Sequence, residues 1–212
     1  MNLGISQKYF IVALPKKGQF SVSNTKAPVG VGLLVAGLID LQMGGVIQIE
    51  NKKITVISGL TDELKYLKPL YDVLKTKEKM SIMNLTNIYV TSILKNPFSL
   101  YQTSIFDSLQ NTDTVLVDHN GKWQSSDRAK EQIISDIRSS FLIDTQKEDE
   151  QIIILTTILD PVKVLKLYFS KEEIKVIRQR IKEIGESDSK NIVKEMLASI
   201  DGFSVAMLVP FL

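Results

Sequence analysis

Cysteine is absent from the 212 residues, which removes disulfides, thiolate nucleophiles and cysteine metal sites together. Histidine is nearly as scarce. The single one, His119, can make neither a two-histidine metal site nor a legible Ser-His-Asp arrangement. Beside Asn120-Gly121 it reads as an exposed turn residue. There is no Pro/Gly/Ser-rich stretch, fixed-period repeat or low-complexity tract, so nothing marks a linker. Residues 1–212 therefore read as one domain, long enough to bury a substantial core. Excess charge of one sign is also missing. With 26 basic and 24 acidic side chains the net charge is +2, too small to imply nucleic acid as a partner. The start MNLGISQKYFIVAL does not read as a signal peptide, because a lysine sits among the apolar residues and no small-residue cleavage site follows. The expectation is a cytoplasmic protein, possible also as a peripheral one on a membrane.

One long hydrophobic run is present. Between Ala27 and Ile47 only Asp40 and Gln42 are clearly polar, a length that could in principle span a bilayer. An ionised Asp40 would cost about 2.5–3.5 kcal/mol at the centre of such a span. The run also contains glycine at 30, 32, 37, 44 and 45 and ends in strand-like alternation. It reads as a buried helix over Ala27–Gln42, with Pro28 in its first turn and Gly44-Gly45 at its end, and no transmembrane segment is expected.

The remaining pattern predicts a mainly α, multi-helix globular domain with two β-hairpins. Tyr9–Leu14 is a short apolar element, and Pro15–Gly18 turns the chain. Val46–Glu50 and Ile54–Ile57 alternate across Asn51-Lys52-Lys53 as a first hairpin. Pro69 opens a short helix, and others follow over about Ser81–Leu94 and, after Asn96-Pro97, about Phe98–Gln110. Thr114–Val117 and Lys122–Gln124 form a second hairpin around Asn120-Gly121, the strongest turn signal in the chain. Ser126 or Asp127 starts a helix carrying Ile133, Ile134, Ile137 and Phe141. The acids Glu148–Glu150 suit the N-terminus of the next. Asp160 before Pro161 reads as an N-cap, Ser170 with Glu173 as a capping box, and Gly185 as a left-handed stop. Between them Ile174, Ile177, Ile181 and Ile184 share one face, with Lys171, Lys175, Arg178 and Lys182 on another. After Ser187 and Asp188, Ile192, Val193, Met196, Leu197 and Ile200 make a further apolar stripe.

Few residues could carry chemistry. Asp62-Glu63 and Glu172-Glu173 are paired acids at helix starts, where they serve the dipole and solvent. Gly30-Val31-Gly32 lacks the third glycine or following Gly-Lys-Ser/Thr of a nucleotide loop and fits close helix packing. Asn84-Leu85-Thr86 matches a glycosylation acceptor inside an apolar helical stretch, where the match is incidental. Trp123 reads as a core residue of the second hairpin. Two anion-binding features remain. Asn24, Thr25 and Lys26 stand before a helix N-terminus, where free N–H groups, the dipole and a cation favour a phosphate. The lysines at 16–17, 52–53 and 75, 77 and 79 could join as a basic face for anionic lipid.

The segments YFIVALPKKGQF and GGVIQIENKKITVI, joined by the long helix, precede the punctuated helices ILTTILDPVKVLKLYFSKEEIKVIRQRIKEIGE. In that order they resemble the Golgi phosphoprotein family from about Tyr9 to Leu208, as a divergent bacterial-type member. The resemblance implies a non-enzymatic peripheral adaptor, with no metal or cofactor, that binds the headgroup of phosphatidylinositol 4-phosphate. It also implies a second hairpin that contacts membrane, a protein partner or another copy. The family's headgroup pocket uses a tryptophan before the long helix, an arginine within it and two arginines before the second hairpin. Here those positions hold Asn24 or Thr25 and Leu34, and 100–110 contains no arginine. Bidentate guanidinium contacts to a phosphomonoester are thus missing. The expected ligand is an anionic phospholipid or another phosphorylated group held by Asn24, Thr25 and Lys26. The alternative is a protein-interaction scaffold that has lost lipid binding.

Overall fold

A computed structural model describes residues 3–22, 27–91, 97–143 and 149–186. Among these, eight α-helices run in the order α1 (Ile5–Ala13), α2 (Ala27–Met43), α3 (Lys68–Leu74), α4 (Ile82–Thr91), α5 (Pro97–Gln110), α6 (Asp127–Leu142), α7 (Glu150–Leu159) and α8 (Lys171–Glu186). Strands β1 (Ile47–Glu50), β2 (Lys53–Val56) and β3 (Met80–Ser81) form an antiparallel sheet in that order, and β4 (Val115–Val117) pairs with β5 (Trp123–Ser125). The fold is mainly α with two small sheets, and no described helix is long and apolar enough to cross a membrane.

The apolar run becomes α2 and lies in the interior. Val31, Leu33, Leu34, Leu38, Ile39 and Leu41 are fully buried, and the helix packs against α1, α7 and β1. A helix apolar on every side needs neighbours on every side, and glycine decides how close two of them come. Tyr9 donates its hydroxyl to the Val29 carbonyl at 2.8 Å, and Tyr101 donates to the Leu33 carbonyl at 2.8 Å. A Cβ at Gly32 would stand 2.2 Å from the Tyr9 hydroxyl, and one at Gly37 2.1 Å from that of Tyr101. Bare backbone therefore lets each buried phenol reach the spare lone pair of a helical carbonyl. Gly30 does the same for the chain before the helix, since its Cβ would meet the Ser21 carbonyl at 2.1 Å. Close packing is thus what Gly30-Val31-Gly32 provides.

Several local expectations hold with shifted details. The first apolar element is helical and begins at Ile5. The first hairpin turns on two residues, Asn51 (φ 49°) and Lys52 (φ 61°), while Lys53 pairs with Glu50. Two successive left-handed residues give the tight turn that matches strand twist. Met80 and Ser81 add a third strand from the lysine-rich link, pairing with Ile54 and Lys53. Asp149 caps α7 by accepting from the amides of Gln151 and Ile152. Ser170 and Glu173 form the reciprocal capping box, at 2.7 and 3.2 Å.

Two helix ends differ from the sequence expectation. Asp160 does not open a helix with Pro161. It is the C-cap of α7, and the chain turns through Lys163 (φ 65°), whose neighbour Val164 donates back to the Leu159 carbonyl. A proline after a helix end serves as well as one at a start, because it cannot continue the ladder. Gly185 is not a stop either, since α8 continues to Glu186. The stripe from Ile192 to Ile200 lies outside the described residues.

Replacing Gly32 by alanine tests the tyrosine packing. Helix propensity alone would add stability of about 1 kcal/mol, whereas overpacking against Tyr9 costs about 1–3 kcal/mol. The expected outcome is a lower urea midpoint for Gly32→Ala. A raised midpoint would show that Tyr9 moves aside freely.

Candidate functional site

Asn24, Thr25 and Lys26 lie outside the described residues. The segment leading to them is anchored on the core. Phe20 donates its amide to Gln102 Oε1 at 2.9 Å, and Val22 is buried as the chain crosses α2 at Gly30.

That segment starts from a turn that docks on the second hairpin. Gly18 (φ 82°) donates to the Pro15 carbonyl, and its Cβ position is 2.7 Å from the Trp123 amide nitrogen and 3.1 Å from Lys122 Cβ. Only glycine fits, for both its left-handed conformation and the approaching strand. Exposed Lys16 and Lys17 are thereby set beside exposed Lys122. The hairpin is anchored from beneath. Trp123 stacks on Phe106 at 4.5 Å between ring centroids and lies 6.1 Å from Phe10. Its ring is committed to the core, as its sequence position suggested. Val115 is buried, but Leu116 and Val117 are each 47% exposed. Leu116, Trp123, Lys16 and Lys130 line one concavity of about 380 Å³, in which Lys130 pairs with Asp127 at 2.8 Å. Leu116 thus shares a concavity with Lys16 and Lys130, while Val117 pairs with Trp123 across the hairpin.

The hairpin's tip is built by Asp118. Its Oδ1 accepts from the amides of Asn120 (2.8 Å) and Lys122 (2.9 Å), while its carbonyl accepts from Gly121 at 2.9 Å. Gly121 at φ 76° completes a three-residue turn with a glycine bulge. These hydrogen bonds hold the Asp118 carboxyl below its usual range, led by the Lys122 amide. His119 is exposed in this turn.

The other lysines gather elsewhere. Lys53 and Lys79 border a shallow groove with Glu50 and Gln48 on the first sheet, and Lys75 sits over the Tyr71 ring at 5.4 Å. The lysine groups attach to two different sheets, so chain neighbours do not by themselves define a common face.

A second polar cluster was legible only as an anomaly. Asp40 is buried in α2 and accepts from the Ile5 amide (2.8 Å), the Ser6 amide (2.9 Å), the Ser6 hydroxyl (2.5 Å) and the Tyr66 hydroxyl (3.1 Å). Its carboxylate meets the free N–H groups of the first turn of α1, a cap supplied from another helix. A concavity of about 680 Å³ lies alongside, lined by Gln7, Asp40, Met43, Thr61, Glu63 and Tyr66 among others. With the Ile5 and Ser6 amides and the Ser6 and Tyr66 hydroxyls all directed at Asp40, the arrangement stabilises a helix start. Among the described residues no group of three or more potential metal-ligating side chains gathers.

Compared with protein-family models and with curated proteins, the chain matches none.

The Asp40 cluster makes a stability prediction. Burial pushes its carboxyl upward, only partly opposed by the hydrogen bonds from Ser6, Ile5 and Tyr66. The folded chain therefore binds the proton more tightly than the unfolded chain, and this group's contribution falls as pH rises from the ordinary aspartate range through the raised value. Asp40→Asn lacks that component, so wild type should lose stability relative to the variant across the same window in urea titrations. A difference independent of pH, or one growing in favour of wild type, would refute the sign. Asp40→Ala strands the donors and should cost about 3 kcal/mol or more, at roughly 1–3 kcal/mol for each buried group left unmet.

Proposed function

We propose that this protein is a non-enzymatic peripheral adaptor that binds anionic phospholipid through the second hairpin and the Pro15–Gly18 turn. The observation that carries the reading is the docking of the Pro15–Gly18 turn on the hairpin at Trp123 and Lys122, which brings exposed Lys16 and exposed Leu116 to one concavity. The resemblance to Golgi phosphoproteins supports it.

Magnitudes suit a reversible interaction. Each lysine near an anionic surface contributes about 1 kcal/mol, and burying the exposed half of Leu116 and Val117 adds roughly 1 kcal/mol each. The sum, about 5 kcal/mol, corresponds to binding weaker than micromolar. Neither charge nor apolar area suffices alone. Stable attachment therefore needs the Lys26 region, a partner or a second copy.

Sedimentation with phosphatidylserine vesicles tests this. Binding should fall steeply with salt, because exposed charges are screened beyond about 8 Å at physiological ionic strength. Lys16→Gln with Lys17→Gln should weaken it by about 2 kcal/mol. Leu116→Ser should weaken it by about 1 kcal/mol while leaving the salt dependence in place. If a headgroup docks at the start of α2, Lys26→Ala should cost about 1.5–3 kcal/mol, the range for a hydrogen bond to a charged group. Little preference for phosphatidylinositol 4-phosphate over phosphatidylserine at matched charge is expected, since the arginines of the family's pocket are absent. Failure of the wild-type protein to bind any anionic vesicle would replace this reading with the protein-interaction scaffold.

A further inference from the structure

The Asn120–Gly121 step has a chemistry of its own beyond serving as a turn. It is the only Asn-Gly pair in the chain. We infer that Asn120 is a site of spontaneous deamidation, and that the resulting carboxylate weakens the hairpin's attraction for an anionic surface. The second clause rests on the membrane reading above, and the first does not.

Three features bring the reaction to this position. Asn120, Gly121 and the flanking His119 and Lys122 are all exposed. Gly121 has open space where a Cβ would be, so its backbone nitrogen is unhindered by a side chain. His119 Nε2 lies 2.9 Å from Asn120 Nδ2, the nitrogen that must leave. With its proton on Nδ1, the imidazole accepts from the amide in the resting turn, and after taking a proton from solvent at Nε2 it can donate that proton to the departing nitrogen.

The step balances with water as the one co-reactant. The Gly121 nitrogen gives its proton to solvent base and attacks Asn120 Cγ, forming a five-membered imide. The leaving nitrogen takes a proton from the protonated imidazole or from water, the Cγ–Nδ2 bond breaks, and ammonia departs. Water then opens either carbonyl of the ring, which leaves an aspartate or an isoaspartate. One feature opposes the attack. The Gly121 amide donates to the Asp118 carbonyl at 2.9 Å and must leave that bond first. A surface hydrogen bond of ordinary net strength slows the reaction by on the order of tenfold at most. The turn therefore sets the pace without blocking the chemistry.

The consequence is electrostatic and local. The new charge stands beside Asp118 and two residues from Lys122, at the tip of the hairpin that exposes Leu116 and Val117. One added negative charge offsets one lysine, so vesicle affinity should drop about fivefold. The isoaspartate form also adds a backbone atom to a turn held by two bonds to Asp118 Oδ1.

The test uses the full chain aged at neutral to mildly alkaline pH and read by peptide mass spectrometry. The expected result is a gain of about 1 Da at position 120, with isoaspartate in excess. Asn51, Asn84 and Asn111, none followed by glycine, serve as internal controls and should change far more slowly. Asn120→Gln should remove the product, because its imide would need a less favourable six-membered ring. His119→Ala should slow the reaction, and an unchanged rate would remove the imidazole from the account. No mass gain at 120, or a rate matching the control asparagines, overturns the site. Separately, Asn120→Asp should bind phosphatidylserine vesicles about fivefold more weakly than fresh wild type. Equal binding overturns the electrostatic consequence. If fresh wild type fails to bind, the membrane reading and the consequence fall together while the mass measurement still decides the site.

Discussion

Burial of α2 is the constraint on which the other elements depend. A helix apolar on all sides has no solvent face, so α1, α7, β1 and the chain preceding it must close around it. Its glycines determine the distances at which they do so. Gly32 and Gly37 admit the rings of Tyr9 and Tyr101, and each hydroxyl then finds a carbonyl of the same helix. The single charged residue of α2 is turned to use. Asp40 meets the amides at the start of α1 and the hydroxyls of Ser6 and Tyr66, tying the first helix to the second at one end while Tyr9 ties them further along.

This core has a direct consequence for the proposed binding face. The turn after α1 is placed by the packing of that helix, and Gly18 lets it lie against the backbone of Trp123. Trp123 is held by Phe106 and Phe10, the latter a residue of α1. One aromatic cluster therefore positions the lysine turn and the exposed hairpin together. A tryptophan in a hairpin could equally have been a membrane wedge. Its stacking on Phe106 commits it to the core, while Leu116 and Val117 of the same hairpin remain half exposed.

Much of the fold was legible because local signals and burial agreed. The interior helix, the two hairpins, the acidic start of α7 and the Ser170–Glu173 box all follow from short patterns with one physical reading. Misreadings fell where a signal has two. Proline follows a helix end as readily as it begins a helix, so Asp160-Pro161 pointed the wrong way. Glycine at 185 is tolerated inside α8, whose stripe of Ile174, Ile177, Ile181 and Ile184 packs onto the core. The two-residue strand Met80–Ser81 carries too few residues to show a period.

The sequence by itself determined the class of structure and the poverty of catalytic groups, because helical period, turn chemistry and composition are local properties of the chain. It also marked Asp40 as out of place in an apolar run. Only the tertiary structure decided what Asp40 does, since its donors are 34 and 35 residues away along the chain for Ser6 and Ile5. The same holds for the lysines. The turn carrying Lys16 and Lys17 comes to Lys122 only because Gly18 docks on the hairpin, while the lysines at 53 and 79 gather on another sheet. Charge is counted along the chain, but a binding face is made by contacts between elements that no local pattern encodes.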